Sequence, residues 1–67
     1  MSEFTLNQHA QPWREGLSVA ALLAEQGWAA DAVATALNGC FVPRGQRAAT
    51  LIQPGDALTL IQPITGG

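Results

Sequence analysis

Ala29-Ala30-Asp31-Ala32-Val33-Ala34-Thr35-Ala36-Leu37-Asn38-Gly39-Cys40-Phe41-Val42 decides the fold, because its first nine residues fit two structures and its last five fit only one. Five alanines in residues 29–37 favour a helix. Val33, Thr35 and Leu37 instead alternate with smaller neighbours, the period-two pattern of a strand. Asn38-Gly39 breaks the tie. A two-residue hairpin turn of type I′ needs positive φ at both central positions, and Asn followed by Gly tolerates this best. Cys40-Phe41-Val42 then reads as the returning strand, and the expectation is a strand over 29–37, a tight turn and a short strand.

Working outward toward the N-terminus, Ser18 stands where a helix needs a side-chain acceptor for an orphan backbone N–H. Val19-Ala20-Ala21-Leu22-Leu23-Ala24-Glu25-Gln26 follows as a run of mostly good helix formers, with Val19, Leu22 and Leu23 on its apolar face. Gly27 fits the left-handed residue that closes a helix, and Trp28 after it is placed to pack back on Leu23. Before this helix, Phe4 and Leu6 alternate with polar neighbours as a half-buried first strand. Asn7-Gln8-His9-Ala10 reads as a turn, and residues 11–16 as a second strand around Trp13. Pro12 is tolerated only at an edge or a strand start.

Toward the C-terminus, Pro43 stops the short strand, and Arg44-Gly45-Gln46-Arg47-Ala48-Ala49 has the length of one turn, with Leu51 and Ile52 as its apolar anchors. Pro54-Gly55-Asp56 marks another turn. Ala57-Leu58-Thr59-Leu60-Ile61 is a last strand with Leu58 and Leu60 on one face and Thr59 and Ile61 on the other. The order is hairpin, helix, hairpin, loop, strand. It is met by an α+β fold of the β-grasp, ubiquitin-like type: a mixed sheet of four to five strands, its first and last strands adjacent and parallel, and one main helix across one face. The division expected is a domain over 1–62 and a flexible tail over 63–67 ending in Gly66-Gly67.

Composition limits the function classes. The chain has 67 residues, 48% hydrophobic and 12% charged, which is the balance of a folded single domain and not of a disordered one. Arg14, Arg44 and Arg47 are the only cations in a chain of net charge −2, so the counterion release that drives nucleic-acid binding has little to act on. Cys40 is the single cysteine and has no metal-ligating cluster around it in sequence, which favours a reducing compartment. No apolar run of membrane-spanning length and no signal-peptide pattern stand in the sequence, so a cytoplasmic protein without a membrane partner is expected. No nucleophile–base pair, phosphate-binding glycine loop or carboxylate dyad is visible. His9 reads as an isolated turn residue, Trp13 and Trp28 as anchors at the core or its edge, and Arg44 and Arg47 as solvated or ion-paired.

The Asn38-Gly39 hairpin, the Phe41-Val42-Pro43-Arg44 run, the Pro54-Gly55-Asp56 turn before an aliphatic strand, and Gly66-Gly67 resemble, in this order and over nearly the whole length, the ThiS sulfur carriers of thiamin biosynthesis. These are relatives of the small subunit of molybdopterin synthase. The resemblance implies a protein co-substrate and not an enzyme. Its Gly67 carboxylate would be adenylated by a ThiF-like adenylyltransferase, which uses ATP and magnesium, and then converted to a thiocarboxylate. The sulfur would come from a donor such as a cysteine desulfurase and pass to a ThiG-like thiazole synthase. No permanently bound cofactor or metal is implied.

The chemistry suits the residues. An unperturbed α-carboxyl titrates at about pH 3.3–3.7, so at neutral pH it is a carboxylate able to attack phosphorus. Gly66 has no Cβ and clears a narrow channel. Pro63, Ile64 and Thr65 would form the leader that partners grip, Ile64 filling an apolar socket. Three alternatives stay open on the residues alone: the molybdopterin synthase subunit, a ubiquitin-like modifier, and a β-grasp interaction module with an inert tail.

Overall fold

The computed structural model describes residues 2–29 and 31–62. The elements run β1 (Glu3–Leu6), β2 (His9–Pro12), α1 (Val19–Gln26), β3 (Ala34–Leu37), β4 (Cys40–Val42), a 3₁₀ turn (Arg44–Gln46) and β5 (Ala57–Ile61). They form one mixed sheet in the order β2-β1-β5-β3-β4. The first and last strands are adjacent and parallel, Thr5 opposite Ala57 and Leu6 opposite Leu58, while the other pairs are antiparallel. This is the β-grasp arrangement expected from the order of elements.

The Asn38-Gly39 turn has φ of 53° and 82°, the positive pair that a type I′ hairpin requires, and it sets Leu37 opposite Cys40 and Thr35 opposite Val42. The strand before it is shorter than expected. Only Ala34–Leu37 pair, because Asp31 and Ala32 lie in a turn, Ala32 N–H donating to the Ala29 carbonyl at 3.0 Å. Alanine repetition carries no boundary signal, so the alternation at Val33 was no guide to where pairing starts.

The first hairpin also differs from expectation. Its turn is confined to Asn7-Gln8, both at positive φ (50° and 72°), and His9 already pairs with Leu6. The second strand is therefore His9–Pro12 and not 11–16. A turn without glycine hides this register in the sequence. Trp13 lies beyond the strand, where its indole N–H donates to the Ile52 carbonyl at 2.6 Å. Pro12 sits in an edge strand, as its missing N–H demands.

The start of α1 is satisfied group by group. Val19 N–H donates to the Thr50 carbonyl (3.0 Å), Ala20 N–H to the Arg47 carbonyl (3.2 Å) and Ala21 N–H to the Ser18 hydroxyl (3.0 Å). The end closes as a Schellman motif. Gly27 has φ 80°, its N–H reaches the Ala24 carbonyl at 3.2 Å, and Trp28 N–H reaches the Leu23 carbonyl at 2.9 Å. Val19, Leu22 and Leu23 are buried with Phe4, Leu6, Leu58 and Leu60 of the sheet, and Leu17, Val33 and Ile52 complete the core.

Two further corrections concern the connection after β4. Ile52 anchors it, but Leu51 points to solvent and is 48% exposed. Arg47 is not solvated. It is 5% exposed, donating from Nε to the Thr35 hydroxyl (3.2 Å) and from Nη2 to the Val33 carbonyl (2.7 Å). The Thr35 hydroxyl in turn donates to the Val42 carbonyl at 2.9 Å. A guanidinium thus ties the turn before β3, β3 itself and β4 to the 44–50 connection.

Candidate functional site

β5 is the element that leads to the glycines, and its residues divide by face. Leu58 and Leu60 enter the core, while Ala57, Thr59 and Ile61 project from the opposite side of the sheet. The strand is held on both edges. Toward β3, Ile61 lies opposite Ala34 and Thr59 opposite Ala36. Toward β1, Thr5 N–H donates to the Asp56 carbonyl and Asn7 N–H to the Leu58 carbonyl, each at 2.9 Å. Beyond that point β1 has turned away. The Asn7 side-chain oxygen takes over and accepts the Leu60 N–H at 2.8 Å, extending the ladder by one step.

The entrance to β5 is equally fixed. Pro54 and Gly55 occupy the centre of a type II turn, Gly55 at φ 85°, with Asp56 N–H donating to the Gln53 carbonyl at 3.1 Å. The Asp56 carboxylate accepts from Gln53 N–H (2.8 Å) and from the Asn38 amide (3.0 Å), and the Asn38 oxygen accepts the Ala57 N–H (2.9 Å). The hairpin turn and the turn before β5 are therefore latched to each other.

The outer face of the sheet that results is uncharged around β5. Ala34 and Ile61, Ala36 and Thr59, and Ala36 and Phe41 are neighbours by register. Phe41 is 66% exposed and Ile61 52% exposed, two large apolar side chains flanking a floor of alanines. The sequence placed Ile61 on this face. Phe41 was missed as a surface residue, though the two-residue turn fixes Ala36 opposite it and so assigns its face.

Of the residues singled out for chemistry, Pro63, Ile64, Thr65, Gly66 and Gly67 lie outside the described residues. Gln62 is the last one described, directly after β5. Cys40 is exposed at the start of edge strand β4. His9 begins β2 and is exposed, not a turn residue. Trp13 and Trp28 are partly buried against the core, as expected of anchors at its edge. Among the described residues no group of three or more His, Cys, Asp or Glu is arranged to hold a metal ion, and no helix is long and apolar enough to cross a membrane.

The family model described as the ThiS family matches residues 2–67. The chain belongs to the ThiS family. Two solved structures agree with this ThiS assignment. A crystal structure of the thiamine biosynthesis protein ThiS from Geobacter metallireducens is similar at 29% identity, with a TM-score of 0.81, covering 97% of this chain and 99% of that one. A solution NMR structure of a thiamine biosynthesis protein from Geobacter metallireducens is similar at 30% identity, with a TM-score of 0.75, covering 100% of this chain and 88% of that one. No curated protein matches the chain significantly.

Proposed function

We propose that this ThiS-family chain is a sulfur carrier of thiamin biosynthesis whose Gly67 carboxylate is the modified group. A carboxylate oxygen attacks the α-phosphorus of ATP on a ThiF-like adenylyltransferase, with magnesium present, and pyrophosphate leaves. A sulfur nucleophile then adds to the acyl carbon of the adenylate and displaces AMP. With hydrosulfide as the nucleophile, the products are the thiocarboxylate, AMP and a proton. A ThiG-like thiazole synthase takes up the sulfur, and a cysteine desulfurase is the kind of donor that replenishes it. The carrier supplies no catalytic group. It presents a tail, and positioning by the partner supplies most of the rate.

The observation that carries this reading is the family match over residues 2–67, a segment that includes Gly66 and Gly67. The thiamine biosynthesis proteins among the structural neighbours favour the thiazole client over molybdopterin. The geometry of β5 is consistent with it. The strand is held up to Ile61 by β3 and up to Leu60 on its other edge, and five residues beyond Gln62 span at most about 17 Å when extended, enough to cross into a partner's active site. The uncharged face with Phe41 and Ile61 adjoins the point where the tail departs, so an adenylating partner that grips the tail also covers this face.

Incubation with ATP, magnesium, a cognate adenylating enzyme and a sulfur source tests the proposal. Intact mass and fragmentation should show one oxygen replaced by sulfur at Gly67. Cys40 is exposed and is the competing site, so sulfur found on Cys40 and not on Gly67 overturns the reading.

A further inference from the structure

We propose that Asn38 is a modification site: its side-chain amide is lost through attack by the Gly39 nitrogen, a latch to β5 holds that reaction back, and the product cannot close the latch again. Deamidation of this kind needs an asparagine whose next residue leaves its backbone nitrogen uncovered, and glycine, with no Cβ, covers it least. Asn7 and Asn38 are the two asparagines of the chain. Both have positive φ, 50° and 53°, and both accept a β5 N–H on the side-chain oxygen, Asn7 from Leu60 at 2.8 Å and Asn38 from Ala57 at 2.9 Å. Only Asn38 is followed by glycine. Gly39 stands in open space, with nothing within 4 Å of the position a Cβ would take, and Asn38 is exposed to water.

Three hydrogen bonds hold Asn38 to the start of β5. Its N–H donates to the Ala57 carbonyl at 2.7 Å, its side-chain oxygen accepts the Ala57 N–H, and its amide nitrogen donates to the Asp56 carboxylate at 3.0 Å. That carboxylate is fixed in turn by Gln53 N–H at 2.8 Å. The amide is thus engaged on both of its polar atoms, and the nitrogen that has to leave is the one tied to a carboxylate. Attack requires the side chain to release both partners and turn to the Gly39 nitrogen. The rate therefore follows local opening of this turn and not global unfolding.

In the covalent step the Gly39 nitrogen bonds to Asn38 Cγ and the Cγ–Nδ2 bond breaks. The displaced nitrogen takes up the proton of the Gly39 N–H and departs as ammonia, leaving a cyclic imide. Water then opens the ring. Cleavage between the Gly39 nitrogen and Cγ gives aspartate, whereas cleavage at the Asn38 backbone carbonyl leaves the chain running through Cγ as isoaspartate. Aspartate sets a second carboxylate against Asp56 where a donor stood, and adds one negative charge to a chain of net charge −2. Like charges at hydrogen-bond distance repel. Isoaspartate lengthens the backbone of the two-residue turn that sets Leu37 opposite Cys40, so the hairpin register is lost as well. Either product frees the entrance of β5.

Incubation of the folded full-length chain in mildly alkaline buffer, beside the same chain in guanidinium chloride, tests the proposal, with peptide fragmentation reading each asparagine and separating aspartate from isoaspartate. The folded chain should deamidate at Asn38 about tenfold or more slowly than the unfolded chain, and Asn7 should stay intact. Asp56→Ala removes the partner of the leaving amide and should raise the folded rate about tenfold, the factor set by one hydrogen bond to a charged group. Asn7→Gly is the control, since it loosens the other end of β5 without touching Asn38, and its rate should stay near wild type. Asn38→Asp carries the product from the start and serves even where Asp56→Ala does not fold: its Ala57 amide should exchange faster than in wild type while the Leu60 amide keeps its protection. Equal rates in the folded and unfolded chains, equal acceleration by Asp56→Ala and Asn7→Gly, or unchanged Ala57 exchange in Asn38→Asp each overturn the latch.

Discussion

The two faces of the same sheet are built from opposite materials. On the inner face Phe4, Leu6, Leu58 and Leu60 close against Val19, Leu22 and Leu23, and every one of them is buried. On the outer face the neighbouring positions are Ala34, Ala36 and Thr59, with Phe41 and Ile61 left largely in solvent. One face supplies the stability and the other is free to be used, because removing side chains from the outer face takes little out of the core. Phe4 and Phe41 are the same residue type on the two faces, 1% and 66% exposed. Phe4→Ala should cost about 3–5 kcal/mol in chemical denaturation, enough to unfold a domain of this size. A loss below 1 kcal/mol would break the contrast.

The arginines sharpen it next. Arg47 and Arg44 are three residues apart, one buried and one exposed, and only the first holds the turn before β3 and the strand itself to the 44–50 connection. Arg47→Met keeps much of the apolar stem and removes the charged donors. Hydrogen bonds to charged groups contribute roughly 1.5–3 kcal/mol each, and the Val33 carbonyl would lose its partner, so a loss of about 2–3 kcal/mol is expected. Arg44→Met should stay within about 0.5 kcal/mol, the usual range for surface sites. Urea midpoints of the two variants measured side by side decide the matter.

That arginine also shows where sequence reading stopped. The β-grasp order was legible because α1 has a cap, a periodic face and a closing glycine, because Asn38-Gly39 names its turn type and because Pro54-Gly55-Asp56 marks a turn. β5 alternated cleanly, so both of its faces could be assigned. The early hairpin was misplaced because Asn7 and Gln8 take positive φ without glycine, at a cost that the paired strands offset. β3 was drawn too long because alanine fits helix and strand alike. Arg47 was invisible in principle, since a lone arginine in a turn gives no sign that Thr35 and Val33 lie beneath it. The terminal glycines are candidates through the family resemblance alone, and the exposed face of Phe41 and Ile61 emerges only once β3, β4 and β5 are placed in register.

A smaller effect separates the two ends of β5. Its first half pairs with the β1 backbone, and Leu60 relies on the Asn7 side chain. Asn7→Gly preserves the positive φ that the turn needs and deletes the acceptor, whereas Asn7→Asp preserves both. The glycine variant should lose about 1 kcal/mol, the usual net value of one hydrogen bond, and the aspartate variant should lose less. Hydrogen exchange is the sharper measurement: the Leu60 amide should exchange faster in the glycine variant while the Leu58 amide stays protected. Equal acceleration at both would mean that the strand frays as a unit and that Asn7 adds nothing at its end.

The least expected effect on stability carries the largest functional weight. Phe41→Ala should change the unfolding free energy by no more than about 0.5 kcal/mol, because the ring is mostly in solvent already. If the outer face is where the adenylating partner rests, the same variant should raise the carrier's KM for adenylation by about tenfold, the size of effect that separates an interface anchor from a bystander. Turnover at saturating carrier should hold, since the ring is not part of the tail. Ile61→Ser is the companion variant on the last strand and should follow the same pattern. Pyrophosphate exchange at varied carrier concentration measures both quantities. An unchanged KM for both variants would show that the partner recognises the tail alone, leaving the two faces different in stability but not in use.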